Sequence, residues 1–143
     1  MNRILTLLSA AALAALPALA AEASTYIDHA KLMEAFKKPG NLVDGGQYRV
    51  QTSHRDKGGN VEIHEKETDI FYVVDGGATF VTGGTPVNPK TSKPGQIVAS
   101  GINGGETRKI KKGDVVVIPA GIPHWFKEVD GSVNYLVVKV VKP

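Results

Sequence analysis

In "GDVVVIPAGIPHWFKE", residues 113–128, a glycine opens a run of apolar, mostly β-branched residues and a cluster of turn formers ends it. Val115 to Ile118 has the composition of a strand, and Pro119, Gly121 and Pro123 then compress the chain into a turn. That turn delivers His124 at the head of the next strand, "HWFKEV". Upstream, "NVEIHEKETDIFYVVDGGATF" at residues 60–80 carries ionisable groups to match. Val61 and Ile63 alternate with Glu62 and His64, so an apolar stripe and an ionisable stripe share one short strand. Asp69 begins the following strand, and Asp75-Gly76-Gly77 reads as a turn that joins "DIFYVV" to "ATFVT". Two readings of Glu62 and His64 stand at this point: a solvated row with Glu65, Lys66 and Glu67, or a metal site inside a barrel.

Outward from these segments, everything after Gly45 is strand and turn. "QYRVQTSH", "QIVAS", "ETRKI" and "VNYLVVKVV" join the strands already named, with Gly, Pro, Asn or Asp between most of them. Many short strands at regular spacing predict a sandwich or barrel. One helix is predicted, in "STYIDHAKLMEAFKKPG" at 24–40. Asp28 is placed to cap it, Leu32, Ala35 and Phe36 recur at helical spacing, and Pro39-Gly40 stops it. His29 falls in its first turn as a solvated residue. Residues 83–95, "GGTPVNPKTSKPG", are too rich in turn formers for a strand, and are expected as a mobile flap near the barrel mouth or a surface insertion.

The length of 143 residues suits one domain, and with no cysteine that domain has to hold by its core and turns alone. Residues 1–20 differ from the rest. Met1 to Arg3 is positively charged, Ile4 to Leu16 is apolar, and Ala18-Leu19-Ala20 has the pattern of a signal-peptidase site, with Ala21-Glu22-Ala23 as a second. The apolar run is shorter than the roughly 20 residues that span a bilayer. A cleaved signal is therefore expected, leaving a periplasmic or secreted protein with no membrane partner. The domains expected are this signal at 1–20, a helix and lead-in at 21–44, and a barrel at 45–143. Cleavage removes one cation, Arg3, from a formal net charge of +3, which leaves a weak balance with scattered lysines. Lys109, Lys111 and Lys112 form the densest basic cluster, but no interleaved aromatics offer a stacking surface, so no nucleic-acid partner is expected.

Taken together, the two opening segments resemble the paired motifs of the cupin superfamily. The first motif of that family runs Gly, five residues, His-x-His, three or four residues, Glu, six residues, Gly. Here Glu62 takes the first His position, His64 the second, Asp69 the Glu and Gly76 the final Gly. The second motif runs Gly, five residues, Pro-x-Gly, two residues, His, three residues, Asn. Gly113, Pro119, Gly121 and His124 match it, and Glu128 replaces the Asn. The resemblance spans about Asn60 to Glu128. It implies an all-β fold, the cupin double-stranded β-helix or jelly-roll-like barrel, here with a short N-terminal helix. It also implies one divalent metal ion, Zn, Mn, Cu, Fe or Ni, held by Glu62, His64, Asp69 and His124, with Glu67 in reserve for Asp69. Two carboxylates and two neutral imidazoles sum to a charge that a divalent cation balances.

The activity implied is that of a metal enzyme on a small molecule, of dioxygenase, lyase, decarboxylase or isomerase type. The alternative is a non-catalytic periplasmic module that binds a small ligand or a metal. No catalytic residue stands out. Tyr48 and Tyr72 would serve as general acids if they face inward, and His54 ends its strand as a pocket-rim or loop histidine. Phe71, Phe80 and Phe126 are expected to line the barrel and Trp125 to pack outside it. Val61 and Ile63 are expected to face the helix or a partner protomer, and with the run Val133 to Val141 to bury a homodimer contact.

Overall fold

The computed structural model describes residues 23–142, and the signal expected at 1–20 lies outside them. In chain order the elements are α1 (His29–Ala35), β1 (Asn41–Asp44), β2 (Tyr48–Arg55), β3 (Val61–His64), β4 (Glu67–Thr82) and β5 (Thr85–Val87). There follow β6 (Lys90–Lys93), β7 (Gln96–Ala99), β8 (Gly101–Asn103), β9 (Glu106–Lys111), β10 (Val115–Ile118) and β11 (His124–Val141). Asp28 caps α1 as its sequence predicts, its carboxylate accepting from the Lys31 N–H at 2.9 Å. The sheet begins at Asn41, ahead of the expected boundary at Gly45, because β1 pairs with β2.

Antiparallel pairing builds two layers. One runs β1, β2, the C-terminal half of β11, the N-terminal half of β4, then β10. The other runs β6, β7, β3, the start of β11, the C-terminal half of β4, then β9. The long strands β4 and β11 belong to both layers, so each has to bend. Asp75-Gly76-Gly77 is that bend in β4, within one continuous strand, and not the chain-reversing turn expected from its composition. Gly76 permits the bend: its φ is +77°, and a Cβ there would lie 1.9 Å from the Ser132 carbonyl oxygen of β11. Inward parity changes across it, from Asp69, Phe71 and Val73 to Ala78 and Phe80. β11 makes the matching change through register shifts between Phe126 and Glu128 and between Val129 and Val133. His124 and Phe126 therefore face inward at its start, and Val133, Tyr135 and Val137 further on.

The three phenylalanines do line the barrel core, with Tyr135 among them. Val61 and Ile63, by contrast, face neither the helix nor a partner. They are 0% and 7% exposed, packed on Ala99, Ile97, Ile102 and Trp125 of the same chain. The cover comes from β7, β8 and Trp125 at the start of β11. Residues 83–95, expected as a flap or insertion, form the short strands β5 and β6, which pair with β8 and β7. Short edge strands need few ladder N–H groups and so tolerate the prolines that argued against a strand. Trp125 does lie outside the barrel, in this second cluster, and its indole N–H donates to the Gly59 carbonyl at 2.7 Å. Tyr48 and Tyr72 point outward, 41% and 46% exposed, and neither is an inward general acid. No helix among the described residues is long and apolar enough to cross a membrane.

Candidate metal centre

Strand register assembles the site. On the inner face, β2, β11 and β4 place Arg49, Lys139 and Asp69 in one cross-strand row. β3 pairs Glu62 with His124 of β11, and His64 with Gln96 of β7. The Pro119–Pro123 turn is tied to the same place, because the Gly121 N–H donates to the His64 carbonyl at 2.8 Å. Gly121 reaches that contact with φ +83°, a conformation open to glycine.

Glu62, His64 and His124 each bring a ligand atom to within 4.8 Å of the others. The imidazole centroids are 5.1 Å apart, and Glu62 Oε2 lies 3.8 Å from His64 Nε2. Asp69 stands beside them, its Oδ2 3.3 Å from His64 Nε2 and 3.9 Å from His124 Nε2. Both Asp69 oxygens also accept from Lys139 Nζ, at 2.7 and 2.9 Å. Glu67, the reserve ligand, is held by Arg49 and Gln96, with Lys139 Nζ at 3.6 Å. His54 is away from this group, on the outer side of β2, bonded to Asn134 at 2.7 Å.

His124 is 3% exposed, and its Nδ1 lies 3.2 Å from the Ile122 carbonyl. A carbonyl only accepts, so Nδ1 carries the proton and the lone pair sits on Nε2. That Nε2 is buried with no hydrogen-bond partner among the described residues. Burial holds the His124 pKa below its ordinary value, against the Ile122 hydrogen bond, and keeps the ring neutral. A neutral imidazole with an unused lone pair is in the state that ligates a metal.

His64 is oriented by a relay. The Gln96 amide N–H donates to Glu67, which turns its oxygen to His64 Nδ1 and makes that nitrogen the donor. The Nε2 lone pair then meets the Asp69 carboxylate, a contact that a proton or a metal ion at Nε2 relieves. Burial opposes protonation of His64, but hydrogen bonding to Asp69 and Gln96 outweighs it and the pKa is raised. Asp69 is the counterpart: burial pushes it up, while His64 and Lys139 bring it below the usual carboxylate value.

A cavity of about 700 Å³ adjoins the group, lined by Arg49, Arg55, Lys93 and Lys139 and by Asp44, Glu62, Glu67 and Asp69. Cations and carboxylates balance there, so a bound dication would leave the lining positive. Arg55 donates to Tyr135 at 3.0 Å and to Glu62 at 2.9 Å, and its guanidinium lies 4.8 Å from the Phe126 ring centroid. The sequence reading missed Arg49, Arg55, Gln96 and Lys139. Lys139 had a signal, since it is the lone charge within "VNYLVVKVV".

The residues present fit a divalent ion: two imidazole nitrogens and a carboxylate converge, and one of those nitrogens is buried without a partner. Fold and site together define a small two-layered β-barrel with a His/Glu group on its inner face. The Cupin family model matches residues 40–143, and the chain belongs to the Cupin family. No curated protein matches it. Among solved structures, protein BH2720 of Bacillus halodurans is 12% identical with a TM-score of 0.59, over 84% of this chain and 83% of that one. Protein NMB1881 of Neisseria meningitidis is 10% identical with a TM-score of 0.55, over 81% and 99%. Ectoine synthase of P. lautus is 12% identical with a TM-score of 0.52, over 73% and 64%. Likeness at these identities is likeness of fold.

Proposed function

We propose that this cupin is exported, holds one divalent metal ion through Glu62, His64 and His124 with Asp69 beside them, and acts on a small anionic molecule in the adjoining cavity. The observation that carries the reading is the buried, unpartnered Nε2 of His124. Nitrogen and oxygen donors without sulfur suit Zn, Mn, Fe, Ni or Cu. When bound, such an ion supplies Lewis acidity toward a substrate oxygen, the chemistry shared by lyases, decarboxylases and isomerases. The chain's own residues supply the rest. Gln96 and the Ile122 carbonyl fix the two imidazoles, Arg49 and Lys139 offer positive charge to an anion, and Phe71, stacked on Phe126, gives the cavity an apolar wall. The anionic class follows from the charge balance of the cavity.

The test is metal analysis of untagged protein after dialysis against each ion, beside His64→Ala and His124→Ala. One equivalent of ion, lost in both variants, is expected; wild type that retains none of these ions refutes the centre. A binding module without turnover is the second reading, favoured because the carboxylates beside the imidazoles, Glu62, Glu67 and Asp69, are already held by cations and so are poorly placed as a base. A panel of small carboxylic and oxo acids separates the two: product formation supports an enzyme, and a thermal shift alone supports a binder.

The homodimer belongs to the same proposal. Across the outer face, Val117, Ile70, Val138 and Val50 fall in one cross-strand row, an apolar band suited to a second copy of the sheet.

A further inference from the structure

Lys139 has a place in the site that ion binding alone does not explain. Its side chain is 14% exposed, and strand register sets it between a second cation, Arg49, and the carboxylate of Asp69. Burying an ammonium beside a guanidinium is unfavourable unless a carboxylate compensates it. Asp69 does so, taking Nζ on both oxygens at 2.7 and 2.9 Å. Yet Asp69 also stands at the spacing of a ligand. Donors that share an ion at bond lengths of about 2.0–2.2 Å lie roughly 3 Å apart, and Asp69 Oδ2 is 3.3 Å from His64 Nε2.

We propose that Lys139 withholds Asp69 from the ion, leaving a centre of Glu62, His64 and His124 that binds its ion more weakly and keeps more of the coordination sphere open to substrate. The inference rests on the metal-ion reading above. An ion bound through Asp69 would sit within a few ångström of the ammonium, and two cations so close repel strongly away from bulk water. Asp69 therefore keeps one of them. Its contact through both oxygens, from a directly opposed residue on a neighbouring strand, favours the lysine. Lys139 is thus a positioning residue: it sets the number of carboxylates at the centre.

Ion affinity, read by calorimetry or by competition with a coloured chelator, tests this on the untagged full chain with Zn²⁺ and Mn²⁺. Wild type is compared with Lys139→Met, which keeps the aliphatic stem, and with the double variant Lys139→Met/Asp69→Asn. Lys139→Met is expected to bind about 10- to 100-fold tighter than wild type, and the double variant to fall back to within about threefold of it. If wild type binds and Lys139→Met binds no tighter, the inference is overturned and the metal-ion reading stands. If none of the three binds, both fall. Since Lys139→Met leaves Asp69 with His64 but without its ammonium in chelator, thermal unfolding is measured with and without ion. A larger ion-induced rise than in wild type supports the inference, and an equal rise overturns it. Should the variant fold only when ion is present, the ion has replaced the ammonium as expected; failure to fold in either condition counts against the inference.

Discussion

Replacing His124 by Phe separates a metal ligand from a histidine that merely packs the core. The imidazole is buried 6.1 Å from the ring of Phe71 and 6.3 Å from that of Phe80, so a phenyl ring there joins an aromatic cluster already formed. Two polar atoms disappear with the substitution. Nε2, buried and unpartnered, costs about 1–3 kcal/mol in desolvation, whereas the Nδ1–H bond to Ile122 contributes only about 1 kcal/mol. The balance predicts a variant as stable as wild type in chelator, or more stable by up to about 2 kcal/mol. Ion at 100 times its Kd should then raise wild type by about 2.7 kcal/mol and the variant by nothing. Urea unfolding followed by the fluorescence of Trp125, the chain's one tryptophan, reads both differences. A loss above about 3 kcal/mol in chelator would refute the reasoning, because a histidine whose removal costs that much is holding the core.

Three further outcomes follow from single features of the fold. Gly76→Ala should cost more than about 3 kcal/mol, from roughly 1–2 kcal/mol of left-handed strain plus the collision with Ser132. Gly131→Ala, with φ +75° and nothing within 4 Å, should show the strain alone, so equal losses in urea would remove the close approach as a cause. Tyr135 is buried, and burial raises its pKa against the opposing pull of Arg55. Its folded value thus lies above its unfolded one, so the stability it confers is complete below about pH 10 and is lost as pH rises through the raised value. Tyr135→Phe should flatten the alkaline fall in stability and delete the latest phenolate absorbance step, and an unchanged profile would contradict the burial argument. Finally, Val117 is 58% exposed in the outer apolar row, and Val117→Asp is expected to convert a dimer to a monomer in light scattering while its melting temperature in dilute solution barely moves. A wild type already monomeric at high concentration rejects the interface.

The barrel was legible where residue type dictates backbone geometry. Gly121 and its flanking prolines admit few conformations, and the turn they make delivers His124 to the strand that carries His64. The alternation of Glu62 and His64 with apolar neighbours was equally direct, because parity within a strand is local. Features decided by distant partners were not legible. Asp75-Gly76-Gly77 would suit a hairpin as well as a bend, and what selects the bend is a β11 that runs on beside both halves of β4. Val61 and Ile63 plainly needed cover, but that β7, β8 and Trp125 supply it is decided by long-range packing and not by the local sequence. Lys139 stayed hidden because the register shifts in β11 reset which of its residues face inward, and Arg49 and Arg55 because only pairing with that strand decides which face of β2 is inner.

Those shifts also explain why core and site stand or fall together. Down the paired strands β2, β11 and β4, the inner face passes from Arg49, Lys139 and Asp69 to Gln51, Val137 and Phe71, and then to Ser53, Tyr135 and Val73. Charge gathers in the first of these rows and side chains of the aromatic and aliphatic core in the next two, before Arg55 opposite Val133 brings a charge back. A slip of β11 by one residue would turn Lys139, Val137 and Tyr135 outward and bring Val138, Leu136 and Asn134 in. It would expose a buried tyrosine, place an amide in the aromatic core and strip Asp69 of its cation. The hydrophobic rows therefore hold the register that the charged row depends on, and the charged row need not be stable in its own right. Substituting Lys139 should then alter what Asp69 binds while leaving strand pairing intact, which is why ion affinity, and not loss of fold, is the quantity expected to respond.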